Sequence, residues 1–285
     1  MNSIARLGPH TVNRTGFGAM RLAGPGVLGP PPDPAAARAV LRRAIELGVD
    51  HIDTAQYYGP DVVNELIRDA LRPYPAGLRI VSKVGARRDR RGAALPASHP
   101  DELRAGVEDN LRTLHVDALA LVNLRLMGAA VPLAEQLGAL KTLRDEGKIE
   151  SIGISNASVE EVAAALQIVE LGEVQNAYNI KLRDDEDVLR FCADRDIAYV
   201  PFFPIGSAFA GGPTPLAEDP TISSVAARYG ATPAQIALAW LLHKDEHVLL
   251  IPGTSSVAHL EQNMAAARIA LDDGDLAALD GVSRP

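Results

Sequence analysis

Three side chains of complementary chemistry follow two neighbouring apolar runs of this sequence. The run VDHID ends in Asp53, the tract IDTAQYYG continues to Tyr58, and the next run, LRIVSKVG, contains Lys83. A free phenol has a pKa of about 10, and a nearby ammonium lowers that pKa by favouring the phenolate. A carboxylate can keep the ammonium charged in a partly buried site. If the three side chains meet, we expect Tyr58 to act as a general acid toward a developing alkoxide.

This chemistry requires a cofactor, because no side chain donates a hydride. Taken singly, each of the three residues is equally explained by a structural ion pair, but three suitable types on adjacent strands weaken that explanation. A lysine at a strand end can also form an imine with a carbonyl substrate. A Schiff-base lyase that uses Lys83 is therefore an alternative hypothesis.

A second candidate site lies in the tract IPGTSSVAHLEQN, which passes from a predicted strand into a predicted helix. Thr254, Ser255 and Ser256 supply hydroxyl and backbone N–H groups at a helix N-terminus, where an anion is favoured. His259 lies about one helical turn further along. Simple N-capping by Ser256 explains the same pattern. The tract alone favours phosphate binding and plain capping equally.

The elements that must position these residues alternate along the whole chain. Eight strands alternating with helices predict an all-parallel sheet, and at 285 residues a closed barrel is favoured over a doubly wound sheet. We predict one α/β domain over residues 1–285, a single (β/α)8 TIM barrel with its active site at the C-terminal ends of the strands. The predicted helices are AAARAVLRRAIEL, ELIRDALRPY, HPDELRAGVEDNLRTL, LAEQLGALKTLRDEG, VEEVAAALQIVE, DDEDVLRFCADRD and TPAQIALAWLLHK, and the predicted strands are a segment near Thr15–Ala19, VDHID, LRIVSKVG, DALALVNL, IESIGIS, EVQNAY, IAYVPFF and HVLLIPG.

Three loops complete this prediction. The Gly/Pro-rich stretches Gly24–Pro34 and Gly206–Pro215 follow the first and seventh strands, so they are expected at the active-site end of the barrel. The basic tract ARRDRR, Ala86–Arg91, is predicted to be a solvated loop, although its place after the third strand would also allow it to attract an anionic group of the substrate. The pair His243 and His247 lacks the further ligands and the order of a zinc motif, so no metal site is predicted.

Composition restricts the class of protein. The net charge of −8 argues against nucleic acid as a partner. The chain has a single cysteine, Cys192, which excludes an intrachain disulfide and fits a reducing cytoplasm. The first residues lack the apolar core of a signal peptide, and no stretch has the roughly 18 apolar residues of a membrane span. We expect a soluble cytoplasmic protein and leave its oligomeric state open.

The chain resembles the aldo-keto reductase family over essentially its full length, in the tracts FGAMRL, HIDTAQYYG, IVSKVG, GKIESIGISN, VQNAYNI and IPGTSSVAHLEQN. The resemblance implies a (β/α)8 barrel, NADP(H) as cofactor and a catalytic tetrad that includes Asp53, Tyr58 and Lys83. It also implies that Ser155, Asn156 and Gln175 hold the nicotinamide carboxamide and that Phe202 stacks on the nicotinamide. The remaining cofactor-binding positions that it implies are Gly18, Ala19, Met20, Asp53, Pro204, Gly206, Gly253, Thr254, Ser255, His259, Gln262 and Asn263.

The sequence departs from the family pattern at two places. The fourth tetrad member is usually a histidine, and Arg125 stands at that position, with Asn123 facing the same side of the strand. An arginine can donate hydrogen bonds to a carbonyl but cannot titrate at neutral pH, and a structural salt bridge is the alternative for it. Gly253 and His259 stand where many members have lysine and arginine, which weakens selection of NADP over NAD.

The resemblance is strongest to a bacterial branch of the family that includes pyridoxal reductases. We therefore expect an NADPH-dependent reductase of an aldehyde or ketone, a small-molecule carbonyl substrate, with pyridoxal as the first compound to test. The substrate loops are the least transferable part of such a fold. The alternative from another class is a catalytically weak regulatory protein that binds the nicotinamide cofactor. This alternative rests on the absence of the usual histidine.

Overall fold

The structure is a computed structural model that describes residues 3–89, 91–128, 131–206 and 214–283. Strands and helices alternate through most of this length. The strands are β1 (Ile4–Leu7), β2 (His10–Asn13), β3 (Phe17–Gly18), β4 (His51–Asp53), β5 (Arg79–Arg88), β6 (Ala94–Ala97), β7 (Leu121–Arg125), β8 (Ile152–Ser155), β9 (Leu171–Gln175) and β10 (Ala198–Tyr199). The α-helices are α1 (Pro34–Glu46), α2 (Val62–Leu71), α3 (Pro100–Leu114), α4 (Leu133–Asp145), α5 (Val159–Leu166), α6 (Glu186–Ala193), α7 (Thr214–Ala217), α8 (Pro220–Tyr229), α9 (Pro233–Lys244), α10 (Val257–Ala265) and α11 (Asp273–Asp280).

The parallel strands close into a barrel. Seven of them are hydrogen-bonded side by side in the order β10, β9, β8, β7, β5, β4 and β3. An eighth segment joins the two ends, because Val248 forms a parallel bridge with Tyr199 and Leu250 forms one with Thr15. The backbone N–H of Leu249 donates to the Tyr199 carbonyl oxygen (3.0 Å), and that of Leu250 donates to Arg14 (2.8 Å). The predicted (β/α)8 fold is confirmed.

The last two barrel strands are shorter than the sequence predicts. β10 ends at Tyr199 although the apolar run continues to Phe203, and the segment 247–253 pairs only through single bridges. Proline explains both ends, because Pro201 and Pro252 have no N–H to donate to a ladder. The shortened ends leave irregular backbone at the mouth of the barrel, where side chains from several strands converge.

The helices begin where capping groups are available, and they pack their apolar faces on the barrel. Asp33 caps α1 by accepting from the N–H groups of Ala35 and Ala36 (both 2.9 Å), and Pro34 occupies the first position of that helix. Ser158 and Glu161 form a capping box at the start of α5. α9 is buried on nearly all sides, which explains its almost continuous apolar sequence.

Two hairpins lie outside the predicted barrel pattern. β1 and β2 pair antiparallel and contact the start of β9, which places this hairpin at the end of the barrel away from Asp53. β5 continues to Arg88 and pairs antiparallel with β6, so the loop predicted for Ala86–Arg91 is wrong at Ala86–Arg88. The ladder with β6 satisfies the backbone there, and the turn follows later. Arg90 lies outside the described residues.

The two predicted βα loops follow β3 and β10. Gly24–Pro34 contains a short 3₁₀ helix, Pro25–Val27, and leads into α1. Of Gly206–Pro215, residues 207–213 lie outside the described residues, and α7 begins at Thr214. Within the described part of the chain, no helix has the length and apolar character needed to cross a membrane.

Candidate active site

A cavity of about 1110 Å³ opens at the end of the barrel where β4, β5, β7 and β9 finish. Three predicted residues lie outside its lining: Ala19 and Ser155 are fully buried behind it, and Asn156 donates its amide to the Leu126 carbonyl oxygen (3.2 Å). The predicted residues that do line the cavity are Gly18, Met20, Asp53, Tyr58, Lys83, Arg125, Gln175, Phe202, Pro204, Gly206, Gly253, Thr254, Ser255, His259, Gln262 and Asn263.

Asp53, Lys83 and Tyr58 meet at the base of this cavity. Asp53 ends β4, Lys83 lies in β5, and Tyr58 lies in a turn before α2, where its N–H donates to the Ala55 carbonyl oxygen (3.0 Å). The Lys83 ammonium donates to the Asp53 carboxylate and to the Thr54 carbonyl oxygen (3.1 Å). Its Nζ lies 5.3 Å from the centre of the Tyr58 ring. The fold therefore brings together the three residues that the sequence singled out.

The acidity of Tyr58 differs from the sequence-based expectation. Burial raises the pKa of Tyr58 above its usual value, and the negative charge of Asp53 raises it further. Arg125 and Arg88 act in the opposite direction but do not reverse the shift. The expected lowering by Lys83 is wrong because Asp53 pairs with that ammonium and offsets its field at the phenol. Tyr58 accordingly carries its proton throughout the neutral range and is available as a donor.

Lys83 also belongs to a buried polar layer that crosses the interior of the barrel. Lys83, Asn123, Gly153 and Glu173 stand in register on adjacent strands β5, β7, β8 and β9. The Asn123 amide donates to the Glu173 carboxylate, and Gln175 Nε2 donates to Glu173 Oε1 (3.2 Å). A Cβ on Gly153 would lie 2.2 Å from Asn123 Oδ1, so only glycine leaves room for this pair. The barrel interior at this level is filled by hydrogen-bonded polar groups.

Gln175 connects this layer to the catalytic candidates. Its Nε2 donates to Asp53 Oδ2 (2.9 Å) as well as to Glu173. Both neighbours are acceptors, so the amide must turn its nitrogen toward them and its oxygen the other way. Gln175 Oε1 is buried and has no hydrogen-bond partner among the described residues, and the same holds for Ser155 Oγ. Two buried polar atoms at the strand ends thus lack the partner that such atoms normally have.

Glu173 is a buried acid that the sequence-based set of site residues does not include. Its side chain is 2% exposed, and burial raises its pKa to about 7. The hydrogen bond from Asn123 opposes this rise, whereas the charge of Asp53 adds to it. One signal could have identified Glu173: it precedes Gln175 by two residues, and the period of a strand places both on one face.

Arg125 is the cavity-facing residue at the end of β7. It lines the cavity, and its guanidinium carbon lies 5.6 Å from the centre of the Phe202 ring. It forms no ion pair with any described residue, so the alternative of a structural salt bridge is not supported by the structure. Asn123 lies one layer deeper, where Glu173 binds its amide. Of these two residues, Arg125 faces the cavity and Asn123 does not.

The tract at the start of α10 combines capping with an open groove. Ser256 Oγ accepts from the His259 backbone N–H (3.4 Å), and Thr254 Oγ1 accepts from the Ser256 N–H (3.1 Å). The capping explanation for Ser256 is thus correct, yet the same segment also lines the cavity. Asn263 Nδ2 is buried at this end without a hydrogen-bond partner in the described part of the chain.

The cavity lining also includes residues outside the predicted set, among them Arg21, Tyr57, Arg88 and Phe203. Arg21 immediately follows the FGAM tract, and Tyr57 and Phe203 adjoin residues that were predicted. Arg88 belongs to the tract that the sequence allowed to attract an anionic group of the substrate, but the structure places it in the continuation of β5 and not in a solvated loop. Among the described residues, no group of three or more histidine, cysteine, aspartate or glutamate side chains is arranged to hold a metal ion.

Comparison with known proteins identifies the family. The model of the aldo/keto reductase family matches residues 14–284, and the chain belongs to this family. It is 50% identical over 98% of its length to pyridoxine 4-dehydrogenase of Escherichia coli, of which 97% is covered. The match confirms the resemblance seen in the sequence and the expected class of enzyme, an oxidoreductase.

Solved structures agree with this assignment. A thermostable aldo-keto reductase, crystallised with the inhibitor epalrestat, superposes with a TM-score of 0.83 at 30% identity, covering 97% of this chain and 98% of that one. An aldo/keto reductase of Klebsiella pneumoniae, crystallised with NADP and acetate, superposes with a TM-score of 0.82 at 29% identity, covering 98% of this chain and 95% of that one. The barrel and its connections are therefore those of the family.

Proposed function

We propose that the chain, as one catalytic domain over residues 1–285, reduces an aldehyde or ketone to an alcohol with NADPH as hydride donor. The observation that carries the proposal is the meeting of Tyr58, Lys83 and Asp53 at the base of a cavity large enough for a cofactor and a small substrate. The NADP-bound relative from Klebsiella pneumoniae supports the choice of cofactor. The 50% identity to pyridoxine 4-dehydrogenase supports pyridoxal as the carbonyl substrate.

The residues at the strand ends fit a nicotinamide ring. A primary carboxamide has an N–H₂ donor and a carbonyl acceptor. Gln175 Oε1 belongs to a residue that lines the cavity and is buried without a partner among the described residues, and Ser155 Oγ is a second such atom behind the lining. Asn156 adds an amide at the same strand end once it leaves the Leu126 carbonyl oxygen. Phe202 lines the cavity and presents a ring face for stacking.

The other end of the groove fits the phosphates and the adenosine. Backbone N–H groups at the start of α10 and the positive end of that helix favour an anion. A Cβ on Gly18 would meet the Ile251 carbonyl oxygen at 2.4 Å, and one on Gly253 would meet the Gly18 carbonyl oxygen at 2.5 Å, so glycine is required where these two segments pack side by side. The remaining proposed contacts are Ala19, Met20, Arg21, Pro204, Gly206, Thr254, Ser255, His259, Gln262 and Asn263.

In the proposed reaction the bound nicotinamide supplies the hydride to the carbonyl carbon. Tyr58 donates its proton to the carbonyl oxygen, which becomes the more basic alkoxide as the bond order falls. Asp53 holds the Lys83 ammonium beside the Tyr58 ring, and the positive charges of Arg125 and Arg88 favour the phenolate left after proton transfer. Arg125 donates a hydrogen bond from the cavity side and thereby orients the substrate. Such fixed donors stabilise charge that develops only in the transition state.

The chemistry of Lys83 disfavours the lyase alternative. An imine requires a free amine to attack the carbonyl carbon, and Lys83 Nζ is already bound to the Asp53 carboxylate and to the Thr54 carbonyl oxygen. We further propose that the protein acts in the cytoplasm on a free small molecule and does not bind nucleic acid, which its charge of −8 supports.

The test replaces Tyr58 with Phe. Because the proton donor is removed while the ring remains, kcat for pyridoxal should fall about 10²- to 10⁴-fold, with NADPH affinity unchanged. Turnover is followed by NADPH absorbance and binding by NADPH fluorescence. Tyr74→Phe is the matched control, because the Tyr74 hydroxyl donates to the Leu114 carbonyl oxygen (2.6 Å) away from the cavity. Undiminished turnover of Tyr58→Phe would refute the role. Tight NADPH binding without reduction of any aldehyde by the unaltered protein would favour the regulatory alternative.

A further inference from the structure

The cavity carries a positive charge that the reaction itself does not explain. Its described lining contains three arginines and Lys83 but one carboxylate, Asp53, and that carboxylate is already paired with Lys83. The whole chain is acidic, with a net charge of −8, so the positive lining is a local feature. Arg21 lies at the cofactor end, where its Cγ would be 3.5 Å from a Cβ on Gly253. Two cations, Arg88 and Arg125, remain near Tyr58.

Arg88 is held over the mouth of the barrel by the hairpin of β5 and β6. It pairs in register with Ala94, and its Nη1 donates to the Gly92 carbonyl oxygen (2.7 Å). Its Nε is buried and has no hydrogen-bond partner among the described residues. A buried guanidinium N–H without an acceptor costs free energy, so an acceptor from a ligand is favoured at this position.

Arg125 approaches the same region from β7. It has no ion-pair partner in the described part of the chain, and the face of the Phe202 ring supports it. The charges of Arg125 and Arg88 both lower the pKa of Tyr58, which places both cations within electrostatic reach of the reacting hydroxyl. Tyr57 adds a buried hydroxyl without a partner to the same lining. Three donors therefore line the same cavity as Tyr58.

We propose that the substrate carries a negatively charged oxygen next to its carbonyl group, and that Arg88 and Arg125 bind this oxygen. The inference rests on the proposed function and specifies its substrate class, carbonyl compounds with an adjacent oxyanion. Arginine suits this task because its N–H groups remain charged and present a fixed fork to an anionic oxygen. Pyridoxal belongs to this class, since a phenolic oxygen lies ortho to its aldehyde. Aldehydes with an ortho carboxylate satisfy the same chemistry.

The test compares pyridoxal with its 3-O-methyl ether, which keeps the ring and the aldehyde but cannot form the phenolate. The measured quantity is the ratio of kcat/KM for the two compounds. In Arg88→Met and Arg125→Met this ratio should fall about 10- to 100-fold, because a hydrogen bond to a charged group is lost only for pyridoxal. The pair 2-hydroxybenzaldehyde and 2-carboxybenzaldehyde then shows whether a phenolate or a carboxylate is preferred.

Arg87→Met is the matched control, since Arg87 neighbours Arg88 on the same strand but is exposed and faces Glu102 (3.9 Å). This variant should leave the ratio unchanged. An unchanged ratio in both cavity variants, with pyridoxal still reduced, would overturn the inference and leave the proposed function intact. If no aldehyde is reduced at all, calorimetric binding of 2-hydroxybenzoate decides: weaker binding by Arg88→Met supports the oxyanion site, and equal binding refutes it.

Discussion

Replacing Glu173 with Gln should remove a pH-dependent loss of stability that the buried carboxyl imposes on the barrel. Glu173 is buried beneath the cavity, and burial raises its pKa from 4.5 to about 7. In the unfolded chain the same carboxyl is solvated and loses its proton at its ordinary, lower pKa. The native protein therefore binds one proton more than the unfolded chain between these two values, so raising the pH favours unfolding there.

The magnitude follows from the two pKa values. Each unit of pKa difference between the native and unfolded states is worth about 1.36 kcal/mol, so a rise from 4.5 to about 7 amounts to about 3 kcal/mol. The stabilising effect of the bound proton is complete below the unfolded pKa and is lost as the pH rises through about 7. Glutamine has nearly the same shape and keeps an acceptor for Asn123 and Gln175, but it does not titrate in this range.

The assay is urea unfolding of the unaltered protein and of Glu173→Gln at several values between about pH 5 and pH 8.5. Other titrating groups contribute equally to both proteins, so the difference between the two free energies of unfolding isolates Glu173. This difference should grow in favour of the variant by about 3 kcal/mol across the range, with most of the change below about pH 7. Glu170→Gln, at an exposed glutamate just before β9, should show no such change.

Parallel curves for the two proteins would contradict this reasoning. They would mean that Glu173 titrates in the native protein as it does in the unfolded chain, so that the hydrogen bonds from Asn123 and Gln175 offset the cost of burial fully. A constant difference between the two free energies of unfolding would not rescue the prediction, because a difference that does not change with pH reflects packing and not proton binding.

Two further predictions concern the same barrel. In Gly153→Ala the added Cβ would lie 2.2 Å from Asn123 Oδ1 and 3.0 Å from Glu173 Cγ. The free energy of unfolding in urea should therefore fall by about 1–3 kcal/mol, and adding Asn123→Ala should restore part of it. An unchanged midpoint in the single variant would show that the layer has room for a methyl group. Burial raises the pKa of Cys192 to about 12. A disulfide reagent at about pH 8 should therefore modify this thiol in the native protein more than 100-fold more slowly than in the urea-unfolded protein. Equal rates would contradict the burial of Cys192.

The fold could be predicted from the sequence because its signal is distributed over many residues. Continuous apolar runs such as VLLI identify strands buried on both faces, and a helix separates most strands from the next. What could not be predicted is where pairing begins and ends. The extension of β5 through Arg88 depends on its partner β6, a contact that local pattern does not encode. Pro201 and Pro252 shortened strands that their apolar residues would have continued.

The site was predictable where residue type and strand position coincide, as for Asp53, Lys83 and Gln175. The properties of the site could not be predicted where they depend on which neighbour forms an ion pair or a hydrogen bond with a given side chain. Lys83 was expected to acidify Tyr58, but Asp53 accepts its hydrogen bond, and burial then determines the pKa of Tyr58. Asn156 lies at the expected strand end, yet its amide binds Leu126. Such outcomes depend on distances of a few ångströms, which strand periodicity does not supply.

The arginine at position 125, where the resemblance to the family implies a histidine, has a consequence that extends beyond one hydrogen bond. A neutral imidazole can both donate and accept, whereas a guanidinium only donates and remains charged. An unpaired charge in a cavity is costly unless a ligand supplies the opposite charge, and the described lining offers none besides the carboxylate already bound to Lys83. The same cavity contains the buried Arg88 Nε without a partner. A substrate that brings its own negative charge meets both requirements at once, whereas a neutral aldehyde supplies a hydrogen-bond acceptor but no opposite charge.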